Sequence, residues 1–252
     1  MRPPTPSHTP RSKHRPWVKI THWIGTLSFL VLLVTGYEIL MVHPRLYWGN
    51  VGNDLTPAII ELPISRNLHH GGWKDTKPFF NTPGSPVSAS RTYDIFNQNG
   101  WGRSLHFLSG WFLVAAGLVY LLIAIFSGHI VRNLWPASKE FSFKLFLRDF
   151  ADHVRGRSLT TNNGSKYGLL QKTSYFIVVF FLIPVIILSG FTMSPTITAS
   201  CPFLLTIFFG AQSARTIHFF ASFLVVLFLI VHIVMVITTG FKSQMRSMTF
   251  GK

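Results

Sequence analysis

RTIHFFASFLVVLFLIVH, residues Arg215 to His232, is the stretch on which the fold turns. It is a continuous apolar run, long enough to enter a bilayer, which takes ~20 mostly apolar residues. Yet a histidine stands near each end, His218 and His232, fourteen residues apart. An ionisable side chain inside a membrane helix faces the bundle interior and marks a functional position. Fourteen residues of helix rise ~21 Å and rotate four turns less about 40°. Both imidazoles therefore point to nearly one side of the helix, one toward each membrane face.

Three further stretches have the same character. The spans are expected at about residues 18–42, 104–127, 173–193 and 215–240. The whole chain agrees: 48% of its 252 residues are hydrophobic and 12% are charged, against about 25% charged in soluble domains. Pro184 is expected to disturb the third span, where neighbouring helices can satisfy the freed carbonyl. The run from Pro202 to Gly210 is too short to cross. The first span exceeds a signal-peptide core of roughly 7–15 residues and lacks a small-residue cleavage site, so a retained helix is expected.

The net charge of +15 invites a nucleic-acid reading, but its distribution points elsewhere. The N-terminal tail carries Arg2, Arg11, Lys13, Arg15 and Lys19 without an acid. The segment 128–172 carries eight Lys and Arg against three acids, and the C-terminal tail has Lys242, Arg246 and Lys252. The loop 43–101 is nearly balanced. Lys and Arg mark cytoplasmic loops, so both termini and residues 128–172 are expected inside. The basic excess then serves topology and anionic headgroups of the lipid bilayer, and no nucleic acid.

These observations predict an all-α membrane protein, a four-transmembrane-helix bundle. Residues 1–16 are a disordered basic cytoplasmic tail, 17–240 the membrane domain and 241–252 a second cytoplasmic tail. The extracytoplasmic loop 43–101 is long and rich in aromatics, the mark of a functional or disordered loop. The inner loop 128–172 holds a cytoplasmic interfacial helix, with Phe143, Phe146, Phe150 and Val154 at helical spacing. No repeat of fixed period is visible. Glu38, near the outer end of span one, reads as an interfacial acid facing the outer loop, with a quinone or proton-path role as the alternative. Cys201 is the only cysteine, which excludes an internal disulfide, a self-held iron–sulfur cluster and a covalent c-type haem.

Two more histidines share the levels of the first pair. His22 lies near the inner start of span one and His106 near the outer start of span two. The four form two levels, His22 with His232 inside and His106 with His218 outside. A flat macrocycle could sit edge-on at each level, its iron held by an imidazole from either side. Lys19, Arg103 and Arg215 each precede a histidine by three residues and so share its helix face. Each lies one turn nearer water, where haem propionates would emerge and accept charge-assisted bonds. The bland alternatives are snorkelling cations and imidazoles bonded to a neighbouring helix. Zinc fits poorly, because neither level offers three or four ligands. Gly25, Ser28, Gly36, Gly110, Gly117 and Ser222 could admit a porphyrin or simply pack helices. Iron with both axial positions filled moves electrons, and a quinone is the lipid-soluble partner expected, beside Trp17, Lys19 and His22. No catalytic residue is expected.

The motifs KITHW (19–23), RSLHF (103–107), MSP (193–195) and QSARTIHFFASFLVVLFLIVH (212–232) resemble those of the cytochrome b561 / nickel-hydrogenase b-type cytochrome family. MSP with QSARTIHF is most similar to its thiosulfate-reductase cytochrome b-like branch. The resemblance implies two haem b groups, with His22/His232 and His106/His218 as metal ligands to haem iron, and quinone chemistry beside them. It also implies an electron-transfer subunit in a bacterial cytoplasmic (inner) membrane, serving a periplasmic molybdopterin oxidoreductase. The alternative is a stand-alone quinone-coupled superoxide oxidase or ferric reductase; the long outer loop favours a docked partner.

Overall fold

The computed structural model describes residues 15–52, 57–62, 64, 99–128, 169–238 and 240–249. The N-terminal tail before Arg15, most of the outer loop and the expected interfacial helix within 128–172 lie outside the described residues.

Four helices are long and apolar enough to cross a membrane, over Pro16–Met41, Trp101–Phe126, Thr173–Thr192 and Ala211–Thr238. Helix α1 (Pro16–Val42) starts on a proline, whose fixed φ suits a first helical turn and whose missing N–H costs nothing there. It ends at His43, immediately before Pro44, and the residue before a proline disfavours helical backbone. Helix α2 (Asn99–Phe126) packs along α1.

The third span is not uniform. Helix α3 (Leu169–Ile177) opens into a π-turn at Val178–Leu182 and resumes as α4 (Ile183–Thr192). Pro184 explains the break. It has no N–H for the carbonyl of Phe180, and its ring crowds that turn, so the helix widens just before it. The MSP motif then ends the span: Ser194 is extended and Pro195 begins the short helix α5 (Pro195–Ser200). Helix α6 (Phe203–Ile207) follows, consistent with a run too short to cross. Helix α7 (Ala211–Thr238) packs against α4. The bundle is thus two helical hairpins, α1–α2 and α4–α7.

Buried apolar residues are few. Val178, Leu182 and Val225 form a cluster with Phe29, Ile183, Ile186 and Phe228 packed on it. Outward-facing side chains are large and apolar, as at Leu27 (67% exposed) and Phe181 (65%). In water so much exposed hydrocarbon would drive association; against acyl chains it carries no such penalty. The chain is a multi-pass membrane protein.

Two features depart from expectation. The C-terminal tail contains helix α8 (Phe241–Met248), entered through Gly240 at φ 107°. Its end returns to α1: Trp23 Nε1 donates to the Met248 carbonyl at 2.9 Å and Lys19 Nζ to that of Thr249 at 3.4 Å. Glu38 is shielded from water rather than set in an open interface. It is 1% exposed, and its carboxylate fills the space a side chain would take at Gly102 on α2.

The first residues after α1 form a latch over the start of α7. Strands β1 (Arg45–Leu46) and β2 (Ile60–Glu61) pair antiparallel, Arg45 opposite Glu61. The Gly49 carbonyl accepts from the N–H groups of Gln212 and Ser213 at 3.0 and 3.2 Å, which would otherwise lack partners at a helix start. Thr216 Oγ1 donates to the Tyr47 carbonyl at 2.6 Å, and Gly49 N–H to Ser213 Oγ at 2.6 Å.

Candidate functional site

Histidines meet in pairs at the two ends of the bundle. At the end where α1 begins and α7 finishes, the rings of His22 and His232 lie 6.5 Å apart between centroids, at 50°. At the opposite, loop end, His106 and His218 lie 6.3 Å apart, at 60°. The depth-based pairing therefore corresponds to spatial neighbours. Each pair takes one ring from each hairpin. No group of three or more His, Cys, Asp or Glu with metal-binding geometry exists among the described residues.

The distances fit a particular chemistry. An imidazole nitrogen binds a transition metal at ~2 Å, and the ring centre lies roughly 1 Å behind it. Two rings on opposite sides of one iron thus have centres ~6 Å apart. Both pairs match that figure. Rings bonded directly to each other would sit closer, and neither pair exchanges a hydrogen bond in the structure.

The loop-end pair is held at its other nitrogens. His106 Nδ1 lies 2.9 Å from Thr35 Oγ1. His218 Nδ1 lies 2.9 Å from the Ile186 carbonyl and 3.1 Å from Ser189 Oγ. A carbonyl only accepts, so Nδ1 of His218 carries the proton and Nε2 keeps its lone pair. That is the tautomer a metal-binding histidine needs. The two supports are alike in detail. Thr35 donates to the Val31 carbonyl at 2.8 Å, Ser189 to that of Val185 at 2.6 Å. A Cβ at Gly36 would lie 3.4 Å from His106 Cε1, and one at Gly190 would lie 3.4 Å from His218 Cε1.

Behind this likeness is an internal repeat. VLLVTG (31–36) matches VIILSG (185–190), and RSLHF (103–107) matches RTIHF (215–219). Each hairpin supplies a hydroxyl–glycine step on its first helix and an Arg-x-x-His-Phe on its second. Reading for a fixed period misses it, because glycine to histidine spans 70 residues in one copy and 28 in the other. Aligning the motifs instead of the spacing would have found Thr35, Ser189 and Gly190. Of the small residues noted in the sequence, Gly36 meets an imidazole. Nothing lies within 4 Å of where a Cβ would stand at Gly110 or Gly117.

The terminal-end pair is held differently. His232 stacks on Phe228 at 5.8 Å and 22°, and meets Tyr175 edge-on at 6.2 Å. Its buried Nδ1 has no hydrogen-bond partner among the described residues. His22 is exposed, with Trp23 edge-on at 5.5 Å. Trp17, expected near a quinone, packs on Tyr120 at 5.4 Å.

The three cations also take protein partners. Arg215 donates to the His43 carbonyl at 2.8 Å and so caps α1. Arg103 lies over the Phe107 ring at 5.7 Å, a cation–π contact. Lys19 reaches Thr249.

The family model for prokaryotic cytochrome b561 matches residues 13–251. The chain belongs to the prokaryotic cytochrome b561 family. The membership agrees with the family expected from the histidine motifs. A cytochrome of this family is a membrane protein that carries b-type haem and moves electrons. A curated relative from Azospira oryzae, named "Putative protein-methionine-sulfoxide reductase subunit YedZ1", is 26% identical over 223 residues, 88% of this chain and 89% of that protein. No solved structure matches.

Proposed function

We propose that this b561 cytochrome is a dihaem electron carrier with haem b at His22/His232 and at His106/His218. The two imidazole pairs at 6.5 and 6.3 Å, one at each end of the bundle, carry the reading. Haem held between the paired imidazoles would supply one-electron transfer chemistry.

The chain's own residues do the rest. Thr35, Ser189 and the Ile186 carbonyl orient the loop-end rings. Phe228 and Tyr175 orient His232. The cluster around Val178, Leu182 and Val225 keeps water out midway; Val225 is seven residues from each α7 histidine. Lys19, Arg103 and Arg215 stand one turn beyond a histidine, placed to neutralise propionates.

The electrons pass between quinone and a catalytic subunit docked at the loop end. By the distribution of Lys and Arg, the terminal end is cytoplasmic and the loop end periplasmic, in an inner membrane. The sequence resemblance supports a periplasmic oxidoreductase of the molybdopterin type as partner, and the Azospira relative is by its name a subunit of a reductase.

Purified full-length protein should give a reduced-minus-oxidised spectrum of two low-spin b haems per chain. His218→Ala and His232→Ala should each remove one and retain the other. One haem per chain in the unmodified protein, or loss of both in either variant, would refute the assignment. Oxidation of superoxide or reduction of chelated iron by the isolated chain, with quinone as co-substrate, would favour a stand-alone enzyme over a subunit.

A further inference from the structure

We infer that the loop-end haem has the lower reduction potential of the two, and that Thr35 and Ser189 set it by accepting the Nδ1 protons of His106 and His218. The inference rests on the dihaem reading above and concerns how each iron's ligands are tuned.

The proton positions follow from counting hydrogens. A threonine hydroxyl has one proton, and that of Thr35 goes to the Val31 carbonyl at 2.8 Å, with the Leu32 carbonyl at 3.3 Å. At 2.9 Å from His106 Nδ1 it can therefore only accept. Ser189 commits its proton in the same way, to Val185 at 2.6 Å with Ile186 at 3.1 Å. It too faces a histidine Nδ1 as an acceptor, alongside the Ile186 carbonyl. Both loop-end imidazoles thus share their Nδ1–H with an oxygen.

An imidazole that donates its second N–H is a stronger ligand at its first nitrogen. A more basic axial ligand stabilises ferric over ferrous iron and lowers the potential. The terminal-end pair lacks this support on at least one side. Nδ1 of His232 is buried without an acceptor among the described residues, in a slot of Phe228 and Tyr175. Stacking fixes that ring's angle without adding electron density to its nitrogen. At the loop end both ligands are enriched; at the terminal end, at most one is. With haem held by both imidazole pairs, the pair at the terminal end would hold the haem that is easier to reduce.

The test is a spectroscopic redox titration of the full-length, haem-loaded protein. His232→Ala retains only the loop-end haem and so identifies its potential in the unmodified protein, where it should be the lower of two. Thr35→Val and Ser189→Ala should each raise that potential. The two changes should be of similar size, each below a tenfold shift in the reduction equilibrium (about 59 mV for one electron), because a carbonyl still accepts at each ring, that of Leu32 at His106 and that of Ile186 at His218. Neither should move the other haem, and Thr35→Ser and Ser189→Thr should restore the original value. The inference is overturned if the haem left in His232→Ala is the higher-potential one. It is equally overturned if the hydroxyl-free variants bind haem at an unchanged potential, or shift both haems alike. A spectrum with fewer than two haems in the unmodified protein would instead remove the dihaem reading itself.

Discussion

Gly36 on the first helix stands against the ring of His106 on the second, so close that a Cβ would lie 3.4 Å from Cε1. Gly190 and His218 repeat the relationship at the same distance. One methyl group can be accommodated by a small shift, but a branched side chain cannot. Gly36→Val and Gly190→Val should each lower the loop-end haem content severalfold and leave the terminal-end haem in place. The haem-to-protein ratio and the difference spectrum measure this. Full occupancy of both haems in either variant would mean the glycine–imidazole contact is incidental.

The latch at the loop end rests on Thr216. Its hydroxyl donates to the Tyr47 carbonyl at 2.6 Å, and both groups are buried. Thr216→Val preserves shape but removes that bond, at a cost of about 1 kcal/mol. Thermal unfolding in detergent should show a lower midpoint with both haems still bound. An unchanged midpoint would show that the latch adds nothing to stability.

Gly210 has a φ of 112°, and a Cβ there would collide with the backbone of Gly49. An alanine would meet both the strain of that backbone region and the loop's close approach. Gly210→Ala should destabilise the loop end by at least about 1 kcal/mol, more than alanine at Gly110, where the space is open. Paired unfolding curves of the two variants give the comparison; equal stability would contradict it.

Helix α8 is tied to the start of α1 through Trp23 and Lys19. Removing both ties with Trp23→Phe and Lys19→Met should free it. Trypsin would then cut at Lys242 and Arg246 several times faster than in the unmodified protein, as followed by mass spectrometry. Equal cleavage rates would indicate that α8 does not depend on these two bonds.

Much of this architecture is legible in the amino-acid order. Spans of ~20 apolar residues declare themselves, because a bilayer admits little else and forces each backbone to satisfy its own hydrogen bonds as helix. The pairing of His22 with His232 and of His106 with His218 follows from depth alone, since helices of known rise place residues at known heights. For Glu38, height does not tell rotation. Its position near the end of α1 suggested water, whereas the packing of α2 puts Gly102 against its carboxylate.

What only the tertiary structure decided is how the imidazoles are supported. Thr35 and His106 are 71 residues apart, and Ser189 and His218 are 29 apart. No local pattern links a hydroxyl on one helix to a ring on the next, because that bond depends on how two hairpins dock. The sequence by itself determined the apolar helices and which histidines stand at matching heights along them. The docking of α1 on α2 and of α4 on α7 decided which nitrogen carries each loop-end proton, since a hydrogen bond needs its partners within ~3 Å, and only packing brings them there.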